Sequence, residues 1–69
     1  MARAYTAWVL QSGEDDDAEY MRAGTVAGHV DRTRRLTEAT QFARRVDARR
    51  VAAVMMIADH YKAREKHIE

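Results

Sequence analysis

The first apolar stretch of the chain is AYTAWVLQ, residues 4–11, and an acidic SGEDDD turn follows it. Aromatic and β-branched residues dominate the stretch, which predicts a strand. Alternation sets Tyr5, Ala7 and Val9 on one face and Ala4, Trp8 and Leu10 on the other, so both faces are largely apolar. Such a strand needs cover on both sides or a central place in a sheet. The stretch AEYMRAGTVAGHVDRT predicts two further short strands, over 18–23 and 26–32 with a break at Gly24, and residues 14–17 form the hairpin loop. No Asn-Gly turn fixes their register.

Residues 34–42, RRLTEATQF, fit two forms. Leu36, Ala39, Phe42 or Ala43, and Val46 recur at helical spacing, which gives a short helix over 34–45. Alternatively Thr37 starts a single turn anchored by Leu36, Ala39 and Phe42, and TQFAR runs on as a short strand. The second form is favoured because the next element has a start of its own. Asp47 fits an N-cap, with Val46 and Val51 as a hydrophobic staple, and the helix so begun runs over 48–66. Val51, Val54, Met55, Ala58, Tyr61 and Lys62 mark one stripe, and Ile57, Arg64 and Ile68 run beside it. A helix of that length spans roughly 29 Å, against about 20 Å for a six-residue strand, so its last turns overhang the sheet. The pattern predicts a single α+β domain over residues 1–69. Its antiparallel meander has two or three strands, and the long C-terminal helix packs on one face.

The order WVLQSG, an acidic turn, LTEATQF and then a capped helix resembles small uncharacterised proteins of bacteriophages and their actinobacterial hosts. In those proteins an aromatic hairpin is followed by an L-x-x-A-x-x-F segment and a C-terminal helix. The matching residues are Trp8, Val9, Leu10, Leu36, Ala39 and Phe42, within a likeness that spans about residues 5–58. The resemblance implies a ββ(β)α fold and an accessory phage-type role in the host cytoplasm, and it carries no catalytic residues. Here the final helix is expected to continue for extra turns with a charged end.

At 69 residues the chain has room for one small core and a thin margin of stability. It has no cysteine, so neither disulfides nor thiolate metal sites add to that margin, and a cytoplasmic setting is expected. Its apolar runs fall far short of the roughly 20 residues that cross a bilayer, and its N-terminus lacks the pattern of a signal peptide. Homodimerisation is one way to supply the missing stability. The doubly apolar first strand, the overhanging helix and the adjacent Met55 and Met56 all favour it, and the expected interface residues are Trp8, Met55, Met56 and Tyr61. For Trp8 a place at the centre of the core is the more common alternative.

Charge is distributed unevenly along the chain. The formal net charge is only +1. Residues 14–19 carry Glu14, Asp15, Asp16, Asp17 and Glu19 with no base, while residues 32–50 carry seven arginines against Glu38 and Asp47. In the segment FARRVDARR, Arg49 and Arg50 would occupy the first helical turn, where the helix dipole favours acid. Arg44, Arg45, Arg49 and Arg50, with Arg34 and Arg35 nearby, therefore make a candidate site for an anionic partner. That partner is a protein surface, nucleic-acid phosphate or the chain's own residues 14–17. An alanine- and arginine-rich composition also follows from a GC-rich coding sequence, in which case the arginines are a solvated face.

Other chemistry finds little support. Asp15, Asp17 and Glu19 match positions 1, 3 and 5 of a calcium loop, but Tyr20 and Val26 replace its required glycine and glutamate. His60 and His67 are too far apart on a helix to share a metal, and His29 stands alone. With no nucleophile elbow and no paired carboxylates in an apolar setting, neither enzyme activity nor a cofactor is expected. The expectation is a non-enzymatic protein that docks to another macromolecule. The alternative is a small nucleic-acid-binding regulator, helix-turn-helix in type if residues 32–46 are helical.

Overall fold

Val9 and Leu10 are both fully buried, although consecutive strand residues point to opposite faces of a sheet. Both faces of their strand must therefore be covered. The computed structural model, which describes residues 4–69 and only the backbone of Asp15, accounts for that cover. Strand β1 (Tyr5–Ser12) is central in a sheet with β2 (Glu19–Met21), β3 (Arg32–Thr33) and β4 (Lys62–Ile68). The order is β3-β2-β1-β4, with every pairing antiparallel. A single helix, α1 (Arg45–Val54), packs against β1 and β4. On its side Leu10 and Met21 meet Ala48, Ala52, Ile57 and Tyr61, with Trp8, Phe42, Val51 and Ala63 at the margin. On the opposite face Val9 meets Ala18, Tyr20, Ala39 and Leu36.

The fold class is α+β as expected, but the sheet has four strands and the helix is short. Residues 62–68, expected at the end of a long helix, instead pair with β1 along all but its last residue, from Gln11 opposite Lys62 to Tyr5 opposite Ile68. Lysine, arginine and glutamate favour helix over strand in isolation. Tertiary demand overrides that preference, because an apolar central strand needs a neighbour on each edge. The expected strand over 26–32 shrinks to Arg32–Thr33, preceded by a tight turn in which Val26 and His29 exchange backbone hydrogen bonds. Residues 36–42 take the turn favoured from the sequence, one 3₁₀ turn at Leu36–Glu38, but the short strand expected over TQFAR is reduced to a single bridge, Phe42 paired with Trp8 through both backbone groups.

The helix starts earlier than Asp47. Arg44 is the N-cap in extended conformation, so Asp47 lies in the first turn and Val46 is half exposed rather than stapled to Val51. The Arg44 guanidinium donates two hydrogen bonds of 2.9 Å to the Asp47 carboxylate and clips the first turn to the chain entering it. Asp47 in that turn also suits the dipole. The Arg44 hydrogen bond, aided by its charge and that of Arg50, holds the Asp47 carboxyl below the usual carboxylate range. A lowered folded-state pKa contributes stability above the unfolded pKa, and the contribution is lost as pH falls through the folded one. The stability advantage of the unmodified chain over Asp47→Asn is therefore expected to be constant near neutrality and to vanish in acid. Urea midpoints across that range check it.

The helix ends in a Schellman motif. Ile57 N–H donates to the Ala52 carbonyl (2.9 Å) and Met56 N–H to that of Ala53 (3.2 Å), while Met56 adopts φ 60°. That left-handed position is usually glycine, and an L side chain there costs on the order of 1 kcal/mol. Met56 is 71% exposed and gives nothing back in packing. Met56→Gly is expected to stabilise the protein by several tenths to about 1 kcal/mol, read as a higher thermal midpoint. The reversal also removes two grounds for a dimer: β1 is covered within one chain, and no helix overhangs the sheet. Of the third, the adjacent Met55 and Met56, Met55 packs against the core and only Met56 is exposed.

Candidate functional site

The arginines fall into two groups once the chain is folded. Arg22 lies 3.3 Å from Asp31 and 3.5 Å from Glu38, Arg32 lies 3.5 Å from Glu19, Arg35 lies 3.5 Å from Glu38, and Arg44 is held by Asp47. Their charge is answered locally. Arg45, Arg49, Arg50, Arg34, Arg64, Lys62 and Lys66 make no ion pair among the described residues. Glu14, Asp16 and Asp17 of the acidic loop do not supply one either. Glu14, Asp16 and Asp17 are exposed, and the loop closes on itself by a backbone hydrogen bond from Asp17 to Glu14 (2.8 Å).

Three of the unpaired cations meet at one place. Arg45 and Arg49 are one turn apart and so share a helix face. With Lys62 at the start of β4 they rim a groove of about 340 Å³ whose walls and floor include Leu10, Ala52, Tyr61 and Ala63. No acidic residue lines it. A second, shallower hollow is bounded by Arg45, Val46, Arg49 and Arg50, so positive charge continues along α1 away from the sheet. The arrangement follows from local chemistry. The small side chains of Ala48, Ala52 and Ala63 let the helix lie close to β4, and the arginines flanking that alanine stripe extend over its edge.

Two details fix the rim. The Arg45 guanidinium sits 6.0 Å from the centre of the Trp8 ring, within cation–π range. Lys62 Nζ donates to the Ala58 carbonyl (2.9 Å), across the turn that joins α1 to β4. Both cations are positioned without being neutralised. The chemistry available is charge-assisted hydrogen bonding to a carboxylate or phosphate above an apolar floor.

The six arginines expected as one anion site are thus divided. Arg45 and Arg49 line the groove, and Arg50 lines the adjoining hollow. Arg44 is occupied by Asp47. Arg34 and Arg35 follow β3, at the opposite edge of the sheet from β4, and belong to a different surface. Of the expected interface residues, Tyr61 is 7% exposed and serves the core of the chain itself. Trp8 and Met55 are half buried against that core, and Met56 is exposed. Sequence reasoning missed Lys62, and with it the exposed Arg64 and the half-buried Lys66. Their two-residue spacing is the signal that marks a strand rather than a helix.

Metal chemistry gains no support. No group of three or more metal-ligating side chains comes together among the described residues. His29 and His60 line a hollow with Ser12, Arg32 and Tyr61 but have no third ligand of that kind there. No helix among the described residues is long and apolar enough to cross a membrane. Compared with known proteins, the chain matches no family model, no curated protein and no solved structure.

Proposed function

We propose that the chain is a non-enzymatic binding protein that docks an acidic segment of a partner protein in the groove between α1 and β4. One observation carries the reading: among the described residues Arg45, Arg49 and Lys62 converge, unpaired, around an apolar floor, while Arg22, Arg32, Arg35 and Arg44 have local acids. An apolar floor suits a peptide with both carboxylate and hydrocarbon side chains. It suits nucleic acid less well, because single strands need exposed aromatic faces for stacking. Here Tyr61 is buried and Trp8 lies under Arg45. The exposed acidic loop would also repel a phosphate backbone. Such a role agrees with the accessory function implied by the likeness to small phage proteins. A homodimer through exposed Val54 and Met56 would leave the groove open.

The test compares two fluorescently labelled probes at matched salt, a peptide of alternating glutamate and valine and a random duplex DNA. The peptide is expected to bind at micromolar concentration and to quench or shift the emission of Trp8, the only tryptophan. Duplex binding should be weaker and should collapse with added salt. Tighter binding to the duplex than to the peptide at physiological salt would assign the arginines to nucleic acid instead.

A further inference from the structure

We infer that the hollow between β3 and the turn after α1 binds a small oxyanion of the phosphate or sulfate class when its two histidines are protonated. This hollow measures about 380 Å³, and His29, His60, Arg32, Ser12 and Tyr61 line it. It shares only Tyr61 with the groove between α1 and β4. Backbone hydrogen bonds tie together the segments that form it. Val26 and His29 close one tight turn, and Gly28 N–H from that turn donates to the Met55 carbonyl (3.0 Å). Gly28 takes φ 77° to make that approach, a position that suits glycine. His60 N–H donates to the Ile57 carbonyl (3.1 Å) in the turn after α1. Two histidines from distant turns are thus set on one concave surface.

The charges around the hollow decide what it takes. Among the described residues Arg32 makes one ion pair, through Nε at 3.5 Å from Glu19, so its terminal nitrogens are uncommitted there. That pair is neutral as a whole, and the hollow gains net positive charge only as His29 and His60 take up protons. Of the nearby acids, Asp31 lies 3.3 Å from Arg22 and Asp59 is exposed beside His60. Neither of them lines the hollow, nor does Glu14 in the loop after Ser12. A divalent cation is a poor occupant, since two imidazoles without a carboxylate would hold it facing the Arg32 guanidinium. An oxyanion suits every group, because guanidinium, imidazolium and the Ser12 hydroxyl can all donate to it. Histidine gains its charge between about pH 8 and pH 5, so binding is present in acid and lost as pH rises.

The test follows the imidazole signals of the isotope-labelled full chain as sulfate is added at about pH 5.5 and about pH 7.5, at constant ionic strength. Sulfate keeps the same charge at both, so any pH dependence belongs to the protein. At the lower pH the His29 and His60 signals are expected to move along one saturating curve while those of His67, on β4, stay in place. Affinity should fall at least about tenfold at the higher pH, because an ordinary histidine loses roughly nine-tenths of its charge over that range. Arg32→Gln should weaken binding at least about fivefold, whereas Arg45→Glu with Arg49→Glu should leave it within about twofold. A phosphoserine peptide compared with inorganic phosphate at the lower pH identifies the source. Binding at least about tenfold tighter for the peptide assigns a phosphoryl group carried on a larger molecule, and parity assigns the free ion. Equal shifts at all three histidines, saturation indifferent to pH, or no saturation at the lower pH would overturn the site. None of these results bears on acidic docking in the groove.

Discussion

Leu10→Ala is expected to cost about 3 kcal/mol, and the loss should show as a much lower urea midpoint with an unchanged slope. Leu10 is the largest fully buried side chain of the helix side. Its neighbours there include Ala48, Ala52 and Ala63, which are too small to close the space that a truncated leucine leaves. A domain of this length has a total stability on the order of 5 kcal/mol, so the variant should be partly unfolded even without denaturant on warming. Val9→Ala, on the other face, should cost about 2 kcal/mol by the same reasoning with fewer methyl groups removed. A loss below about 1 kcal/mol at Leu10 would mean that the helix does not pack where it is placed.

The second large effect is on binding. Reversing both Arg45 and Arg49 to glutamate should weaken an acidic peptide by about a hundredfold or more, since each change removes an attraction and adds a repulsion. Arg34→Glu with Arg35→Glu should leave that affinity within about twofold. Among the described residues neither Arg45 nor Arg49 makes an ion pair, so the first pair of changes should cost no more than about 1 kcal/mol, the scale of the Arg45–Trp8 contact. Loss of affinity is then attributable to the groove rather than to unfolding. Equal losses from the two double variants would point to diffuse charge attraction instead of a site.

Much of this arrangement was legible in the residues. Two apolar faces on Tyr5–Leu10 called for a central strand, the acidic residues for a loop, and Leu36, Ala39 and Phe42 for an anchored turn. The C-terminal third was misread for a physical reason. Ala48–Met55 has true helical spacing, and KAREKHI is rich in helix formers, so local preference carried the helix through a point where it stops. No glycine marks that stop, because Met56 takes the left-handed position itself. The strand that follows owes its conformation to pairing with β1, a contact more than fifty residues distant along the chain. The arginine cluster was recognisable by composition. Which of its members are free depended on partners such as Asp47 and Glu38, whose positions only the fold decides.

An acidic segment bound between α1 and the edge strand β4 should perturb the backbone of both and spare β3. Amide chemical-shift mapping on the isotope-labelled full chain, titrated with the glutamate–valine peptide, tests it most directly. Shifts are expected to concentrate at Arg45, Arg49, Ala53 and residues 62–68, with Arg34 and Arg35 unmoved. Shifts centred on residues 32–35, or spread evenly over every exposed arginine, would contradict it.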